Sequence, residues 1–322
     1  MTPAISVHIV THNNALVLES CVRSLVAQTY TDFATLLIDN ASTDSSLEIA
    51  KGFDLETHAN SINAGYGAAH NYAINATQSR YILTLNPDVI LAPEFLAHMI
   101  SVMDEALPSV GSAAGLLLRI ERPGEAPRRV DSAGLSMSRN RRQRLRLEGA
   151  DPLLASSEIQ TIFGPDGAAA FYRRDMLEDT QVEGEVFDSD FFLHKEDVDL
   201  CWRGQLRGWS SIFVPGAVAH HARAFRPGQR KGVPKAVRMR AVCNRYLMLI
   251  KNEHRSHFLR DIVPIVSYEL AIAAYILTFE RESLTGYREV WRLRKGMLRK
   301  RAIIQSQRLI DWPELRPWFA GN

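Results

Sequence analysis

The 322-residue sequence has few cysteines and little net charge, and each shortage excludes a class of protein. Its three cysteines, Cys21, Cys201 and Cys243, lack the spacing of a metal or redox motif, so buried free thiols in a reducing cytoplasm are expected. The formal net charge of +2 gives no indication of a highly charged partner. The N-terminus has neither a charged region nor a long apolar stretch, so we expect no signal peptide.

The residues that are present are ordinary for a globular protein. Hydrophobic residues make up 46% and charged residues 23%, which is enough for a sizeable core. Short apolar runs typical of strands occupy 5–10, 34–39, 56–59 and 81–85. They alternate with helical patterns, and this alternation predicts a Rossmann-like α/β fold with a mostly parallel sheet flanked by helices.

Polar clusters follow three of these strands, at 11–14, 39–44 and 86–88. Ligands of parallel sheets bind at the carboxyl ends of the strands, so the clusters are predicted to share one ligand-binding edge. The turn Asn63-Ala-Gly-Tyr-Gly67 would let the backbone approach a ligand closely, because glycine permits that approach. A plain turn before a helix is the alternative.

The most informative segment contains four acids around a strand-like apolar run: Asp190, Glu196, Asp197 and Asp199. A helical pattern follows, from Leu200 to the glycine at 208, and predicts a short helix. Asp197 would then lie at the helix entry, where free N–H groups and the helix dipole favour a charged carboxylate. Such a carboxylate can act as a general base. The alternative is an N-cap in a solvated acidic turn.

A basic cluster at Arg139–Arg146 is typical of either phosphate contact or an exposed loop. It lacks the interleaved aromatic residues on which single-stranded bases stack. A mobile surface loop is therefore favoured, and no nucleic-acid partner is expected.

From about Lys231 the pattern is helical to the end, and Ile262–Phe279 is its most apolar stretch. Glu269, near the centre, disfavours a bilayer span, so a buried or interfacial helix is favoured. Basic residues mixed with aromatic and aliphatic ones follow between Arg281 and Arg301, a pattern that suits an anionic membrane surface. A soluble helix pair with a solvated basic face is the alternative.

Six motifs, taken in order, resemble those of the family 2 glycosyltransferases with the GT-A fold. They are Val10-Thr-His-Asn-Asn14, Asp39-Asn-Ala-Ser-Thr-Asp44, Asn63-Ala-Gly-Tyr-Gly67, Asn86-Pro-Asp88, Gly164-Pro-Asp-Gly-Ala-Ala-Ala-Phe-Tyr-Arg-Arg174 and Glu196-Asp-Val-Asp-Leu-Cys-Trp-Arg203. The bacterial rhamnosyltransferase-like branch is the one most resembled. The resemblance implies a GT-A nucleotide-sugar-binding and catalytic domain at residues 1–230 and a helical region, with membrane contact as a hypothesis, at 231–322.

The resemblance also implies a set of residues that bind the donor. These are Thr11, His12, Asn13, Asp39, Asn40, Asn63, Gly65, Asn86, Asp166 and Arg226. Asp39 would accept a hydrogen bond from the base N3–H, and Asp166 would contact a sugar hydroxyl. Arg226 would help to clamp the phosphates. Asp44 is instead expected to cap a helix.

The segment from Asn86 to Asp88 occupies the place of the family's Asp-x-Asp metal motif. Asp88 would therefore coordinate Mg²⁺ or Mn²⁺ at the diphosphate. Asn86 replaces the first acid and is a weaker ligand, which leaves the metal requirement open, and it would contact the sugar or ribose instead. His221, in preference to His220, is implied as a further metal or diphosphate ligand, and a buried hydrogen-bonded pair is the alternative.

The implied reaction is inverting glycosyl transfer, with Asp197 as the general base. Of Glu196 and Asp199, one is expected to orient the site and the other to face solvent. The preferred donor is dTDP-L-rhamnose, with UDP-hexose or UDP-galactofuranose as the alternative.

The acceptor would be a hydroxyl of a cell-surface or lipid-linked saccharide in cell-wall or O-antigen synthesis. The expected location is the cytoplasm, with peripheral attachment to the inner membrane as a hypothesis. A non-catalytic sugar-nucleotide-binding module is the alternative of another class, and the presence of Asp88 and Asp197 argues against it.

Overall fold

The three-dimensional structure is a computed structural model that describes residues 2–121, 124–222 and 232–320. The strands are β1 (Ile5–Thr11), β2 (Phe33–Asp39), β3 (Glu56–Ala59), β4 (Tyr81–Leu85), β5 (Val89–Leu91), β6 (Val110–Arg119), β7 (Arg129–Ser132), β8 (Leu135–Met137), β9 (Gln143–Leu145), β10 (Gln160–Ile162), β11 (Ala169–Arg173) and β12 (Ser210–His221). The helices are α1 (Ala15–Val26), α2 (Ser46–Gly52), α3 (Tyr66–Ala76), α4 (Phe95–Glu105), α5 (Arg174–Asp179), α6 (Glu196–Leu206), α7 (Lys235–Asn252), α8 (Arg255–Arg260), α9 (Ile262–Phe279), α10 (Thr285–Ser306) and α11 (Trp312–Leu315).

The main sheet has the strand order β10-β12-β6-β11-β4-β1-β2-β3, and β5 and β7 pair with β12 and β6. Four of the seven neighbouring pairs along this order are parallel: β12–β6, β4–β1, β1–β2 and β2–β3. The predicted Rossmann-like, mostly parallel sheet with flanking helices is therefore confirmed.

The central strand β1 is buried at every residue because helices cover both faces of the sheet. Val7 packs in one core with Leu18 of α1, whereas Val10 packs in another with Ala69 of α3. Burying a side chain such as valine or leucine contributes about 1.5–3 kcal/mol. These two cores fix the strand ends at which the functional side chains lie.

Two segments differ from the sequence prediction. The apolar run before the acids is not a strand: Ser189–Phe191 is a 3-10 helix, because the Asp188 carboxylate accepts from the Asp190 N–H and closes a turn. The Arg139–Arg146 segment, predicted to be a mobile surface loop, forms the turn and the second strand of the β8–β9 hairpin. Arg141 within it is fully buried and pairs with Glu253, so this basic cluster is partly structural.

The C-terminal helices share a core with α6. Trp202 of α6 belongs to the same buried cluster as Leu247 of α7 and Met297 of α10. All three cysteines are buried free thiols, as predicted. The proposed domain boundary near residue 230 lies outside the described residues, so that division stays a prediction.

Candidate active site

The polar clusters meet at one edge of the sheet, as the sequence predicts. Thr11 at the end of β1 pairs with Asp39 at the end of β2. Ile9 pairs with Leu85, so Asn86 leaves β4 beside these ends. The edge therefore combines side chains from three parallel strands.

Asp39 presents a buried carboxylate oxygen to this edge. The residue is 3% exposed, and its Oδ2 accepts from the Ser42 N–H at 3.1 Å. Its Oδ1 is buried and has no hydrogen-bond partner among the described residues. A buried acceptor without a donor costs free energy. The arrangement therefore suits a ligand N–H, such as that of a pyrimidine base.

Asn40 shapes the neighbouring turn. Its Oδ1 accepts from the Asn60 Nδ2 and the Ala64 N–H, both at 3.0 Å, and its Nδ2 donates to the Gly65 carbonyl at 3.2 Å. Asn63 accepts from the Gly65 N–H at 2.9 Å. Both asparagines therefore use their side chains to hold the turn.

The first loop of the site is held by its own hydrogen bonds. The Thr11 hydroxyl donates to Asn14 at 3.3 Å, and the His12 Nδ1 lies 2.9 Å from the Asn40 carbonyl oxygen. Asn13 has a positive φ of 58°, and its side-chain oxygen accepts from the Thr43 N–H at 2.8 Å. His12 and Asn13 are both exposed. Thr11 is fully buried, so its direct contacts are within the protein.

Asp44 caps the second helix, as predicted, and also holds the start of the first. One of its carboxylate oxygens accepts from the Ala15 N–H of α1 at 3.0 Å, and the other accepts from the Ser46 N–H of α2 at 3.0 Å. The Ser46 hydroxyl, which donates to Asp44 at 2.6 Å, lowers the pKa of Asp44 most, and the two backbone donors lower it further. The residue therefore stabilises the scaffold of the site.

The turn contacts the loop that leads into α6. Gly65 has φ +87°, and a Cβ there would lie 2.7 Å from Phe192, so glycine is required. The Tyr66 N–H donates to the Phe192 carbonyl at 2.7 Å, and the Tyr66 hydroxyl donates to the Gly167 carbonyl at 2.8 Å. The Gly167 N–H in turn donates to Asp197 at 2.9 Å. The two halves of the site are thus joined by direct contacts.

Asp197 lies in the first turn of α6, as predicted. Its two carboxylate oxygens accept from the Gly167 N–H at 2.9 Å and the Val198 N–H at 2.8 Å. Burial raises the pKa of Asp197, and the two N–H donors oppose that rise by stabilising the charged form. Nearby Asp166, which accepts from the Ala168 N–H at 3.0 Å, raises it further.

The carboxyl group of Glu196 lies in a different environment from that of Asp197. Burial, followed by the charge of Asp197, raises the pKa of Glu196 to about 8. Its Oε2 is buried and has no hydrogen-bond partner among the described residues. Glu196 therefore keeps its proton to a higher pH than an ordinary glutamate, whereas two N–H donors stabilise the charged form of Asp197. Two neighbouring carboxyl groups in such different environments suit acid–base chemistry.

Asp88 faces His221 across the end of the sheet. The Asp88 Oδ1 lies 3.3 Å from the His221 Nε2, and the His221 Nδ1 lies 2.9 Å from the Asp131 Oδ2. Asp131 is fully buried and is also paired with Arg119 at 3.2 Å. A carboxylate that accepts from one ring nitrogen orients the imidazole so that the other nitrogen can be a metal ligand. His220 makes no such contact, because neighbouring strand residues face opposite sides.

This pair offers two ligands to a divalent cation, although the described residues contain no group of three or more His, Cys, Asp or Glu side chains placed to hold one. The Asp88 Oδ1 is buried and has no hydrogen-bond partner among the described residues, although an imidazole nitrogen faces it. Carboxylate oxygen and imidazole are both ligands of Mn²⁺-type cations. The Asn86 side chain makes no hydrogen bond to the described residues, whereas its N–H donates to the Ala168 carbonyl at 2.8 Å. Arg226 lies outside the described residues.

Sequence reasoning missed the support for α6. The expectation that Glu196 or Asp199 faces solvent is wrong, since both are buried. Asp199 accepts from Lys251 at 2.8 Å and from Arg203 at 3.0 Å. Four of the residues involved form a buried ion network that joins α6 to α7 and α10: Asp188, Asp199, Lys251 and Lys300.

A second support, Asn244 of α7, holds the loop before α6. Its Nδ2 lies 2.9, 2.7 and 2.8 Å from the carbonyl oxygens of Phe191, Leu193 and His194. Phe192, His194 and Lys195 in this loop have positive φ, a conformation that L-residues rarely adopt. The loop therefore depends on outside partners for its shape.

The comparison with protein families decides the identity of the fold. The model of glycosyl transferase family 2 matches residues 6–180, more than half of the chain. The chain is a family 2 glycosyltransferase. The family assignment made from the six motifs is confirmed.

Two relatives match this glycosyltransferase over most of its length. An uncharacterized protein, y4gI, of Sinorhizobium fredii is 23% identical over 286 residues, which is 84% of the chain but only 29% of that relative. The N-acetylglucosaminyl-diphospho-decaprenol L-rhamnosyltransferase of Mycobacterium tuberculosis is 26% identical over 264 residues, which is 71% of the chain and 79% of that enzyme.

Solved structures show the same fold at low identity. The Pyrobaculum calidifontis mannosyltransferase PcManGT, in complex with GDP-Man and Mn²⁺, has a TM-score of 0.54 and 15% identity, and covers 95% of this chain and 86% of its own. Staphylococcus aureus TarS 1-349, in complex with UDP-GlcNAc, has a TM-score of 0.54 and 14% identity, and covers 98% and 86%. The solved structures show the GT-A fold, and the family model shows that the chain belongs to glycosyl transferase family 2.

Proposed function

We propose that this glycosyltransferase transfers L-rhamnose, with inversion, from dTDP-L-rhamnose to a hydroxyl of a lipid-linked saccharide at the cytoplasmic face of the inner membrane. The observation that carries the reaction type is the Asp197 carboxylate, whose two oxygens accept from two backbone N–H donors beside the buried Glu196. The sugar and the acceptor rest on the likeness to the mycobacterial rhamnosyltransferase.

Asp197 takes the proton from the acceptor hydroxyl as that oxygen attacks the anomeric carbon. The Gly167 and Val198 donors fix the direction of its lone pairs, and general-base catalysis of this kind contributes about 10²–10⁴-fold. Neutral Glu196 avoids a second buried charge and is available to donate to a sugar oxygen. Held in place by α6, the two groups need little reorganisation during transfer.

On the donor side, Asp39 accepts from the base N3–H, which thymine and uracil share. Asn40, Asn63 and Gly65 shape the turn beside the nucleotide, and Asn86 is free to contact the sugar or ribose. Asp88 and His221 would hold Mg²⁺ or Mn²⁺, which stabilises the charge of the leaving diphosphate when bound. Because Asp39 does not distinguish the bases, a UDP-sugar such as UDP-hexose or UDP-galactofuranose is the alternative donor.

The test is release of nucleoside diphosphate from a panel of dTDP-rhamnose, UDP-sugars and GDP-mannose with Mn²⁺ or Mg²⁺. The wild type is compared with Asp197→Asn and with the matched control Asp175→Asn, an exposed acid at the start of α5. We expect dTDP-rhamnose to be turned over by the wild type and the control alone. Selective use of a UDP-sugar would replace the donor, and binding without turnover, with or without a lipid-linked acceptor, would favour a non-catalytic module.

A further inference from the structure

Helix α9 is apolar and yet mostly uncovered. Its 18 residues have a mean hydropathy of 1.8, and only 11% of them are buried. Ile265 and Ile276 are the buried ones. Among the described residues it is the one helix long and apolar enough to cross a membrane. A core helix of a soluble protein would be largely buried. The apolar surface of α9 is instead left exposed by the rest of the described protein.

Five of the uncovered apolar residues form one stripe, whereas Phe279, also 72% exposed, lies on another side of the helix at its C-terminal end. Val263, Val266, Leu270 and Leu277 are between 41% and 74% exposed. Their spacing of three, four and seven residues keeps them, with the exposed Ala274, within an arc of about 80° on a helix of 3.6 residues per turn. We call these five residues the α9 stripe.

The other side of α9 is fixed to the protein. Glu269 accepts from Arg245 at 2.5 and 2.8 Å and from the Tyr246 hydroxyl at 2.6 Å, and both partners belong to α7. A helix that spans a bilayer would place this charged cluster in hydrocarbon, which is costly. The helix is therefore built to lie along a surface, with one side on the protein.

Cations border the stripe at both ends. Arg255 and Arg260 precede α9, Arg281 follows it, and all three are exposed and make no ion pair with the described residues. The two acids nearest to Arg281 in the sequence do not pair with it, since Glu280 is buried and Glu282 pairs with Lys235. Arginines around an apolar stripe complement anionic lipid headgroups, each adding about 1 kcal/mol. A second copy of the chain would instead bring arginines against arginines.

We propose that the α9 stripe docks in the plane of an anionic bilayer, with the three arginines on its phosphate groups and the Glu269 side on the protein. This deepens the proposed function and rests on it for its purpose, since a lipid-linked acceptor is presented at such a surface. The binding itself does not depend on which donor is used.

The test is co-sedimentation of the full chain with phosphatidylglycerol vesicles and with neutral phosphatidylcholine vesicles. We expect binding to the anionic vesicles that weakens as salt is raised. Leu270→Glu should weaken it about tenfold or more, because a leucine leaves the apolar phase and a charge enters it. The matched control Leu107→Glu changes a leucine that is 72% exposed on the catalytic domain, and it should bind like the wild type.

Several outcomes would overturn the proposal. They are absence from the vesicle pellet, equal effects of the two glutamate variants, and a wild-type dimer that Leu270→Glu converts to a monomer. Resistance of the bound protein to extraction by alkaline carbonate would indicate a span. Nucleoside diphosphate release without vesicles separates the two proposals: it should persist in Leu270→Glu, and its absence in the wild type would count against the function but not against docking.

Discussion

Replacing Lys251 by methionine should destabilise the protein strongly, because its ammonium group is the centre of the buried ion network. Lys251 is fully buried, and its Nζ lies 2.5 Å from Asp188 and 2.8 Å from Asp199. Methionine fills similar space and supplies no charge. The two carboxylates would then remain buried with fewer partners.

The expected loss of stability depends on which partners the two carboxylates keep in the variant. Removing one partner of a buried ion pair costs about 3–5 kcal/mol. Asp188 keeps Lys300 at 2.6 Å, and Asp199 keeps Arg203 at 3.0 Å, so we expect the lower end, about 3 kcal/mol. At about 2–4 °C per kcal/mol for a chain of this size, the Tm should fall by roughly 6–12 °C.

The measurement is urea and thermal unfolding followed by circular dichroism. Lys295→Met, an exposed lysine on α10, is the matched control and should stay within about 0.5 kcal/mol of the wild type. Equal free energies of unfolding for the two variants would refute the reasoning. Transfer should also fall in Lys251→Met, because α6 carries Asp197.

The stability lost in Lys251→Met should depend on pH in a direction that follows from the pKa of Asp188. Burial alone would raise the pKa of Asp188, but Lys251 and Lys300 hold it well below its usual range. A carboxyl group with a lowered pKa stabilises the fold above its unfolded pKa of about 3.9, and this stabilisation disappears as the pH falls through the folded value. The difference in free energy of unfolding between the wild type and Lys251→Met should therefore be largest at neutral pH and decrease below about pH 4.

Four further predictions concern the site. Asp197→Asn should lower the transfer rate by about 10²–10⁴-fold with donor affinity, measured by calorimetry, largely kept; loss of affinity with transfer kept would contradict the assignment. As the pH is lowered, kcat/KM should fall at a higher pH than expected for an exposed aspartate, because burial raises the pKa of Asp197. A fall at the pH expected for an exposed aspartate would argue against Asp197 as the base. Asp131→Asn should raise the Mn²⁺ concentration needed for donor binding by about 10–100-fold, because His221 loses the carboxylate that orients it. An unchanged Mn²⁺ titration would exclude this role for Asp131. Asn244→Leu should lower kcat more than it changes the KM for donor, since the loop carbonyls lose their donor, whereas a change in KM alone would place Asn244 on the donor side.

The sequence predicts the donor edge well because that edge is built from short local patterns. Thr11, Asp39 and Asn86 each follow an apolar run, and parallel pairing brings the ends of such runs together. Asp197 is predicted for a similar reason, since a helical pattern begins beside it.

The support of the site could not be predicted in this way. Asn244 and Lys251 lie about 50 residues beyond the loop and helix that they hold, inside an ordinary helical pattern. Only the packing of α7 on α6 gives them a role. The positive φ angles of Phe192 and Lys195 are equally hidden, because neither residue type signals a turn.

The dependence of α6 on α7 and α10 has a consequence for how the enzyme is made. The strands that end at the donor edge, β1 to β4, are all encoded before residue 86. The Asn244 clamp and the Lys300 contact to Asp188 come into existence only when residues far downstream emerge. A nascent chain can therefore hold Asp197 in place only after α7 and α10 have been synthesised, so an unfinished enzyme does not yet position its base.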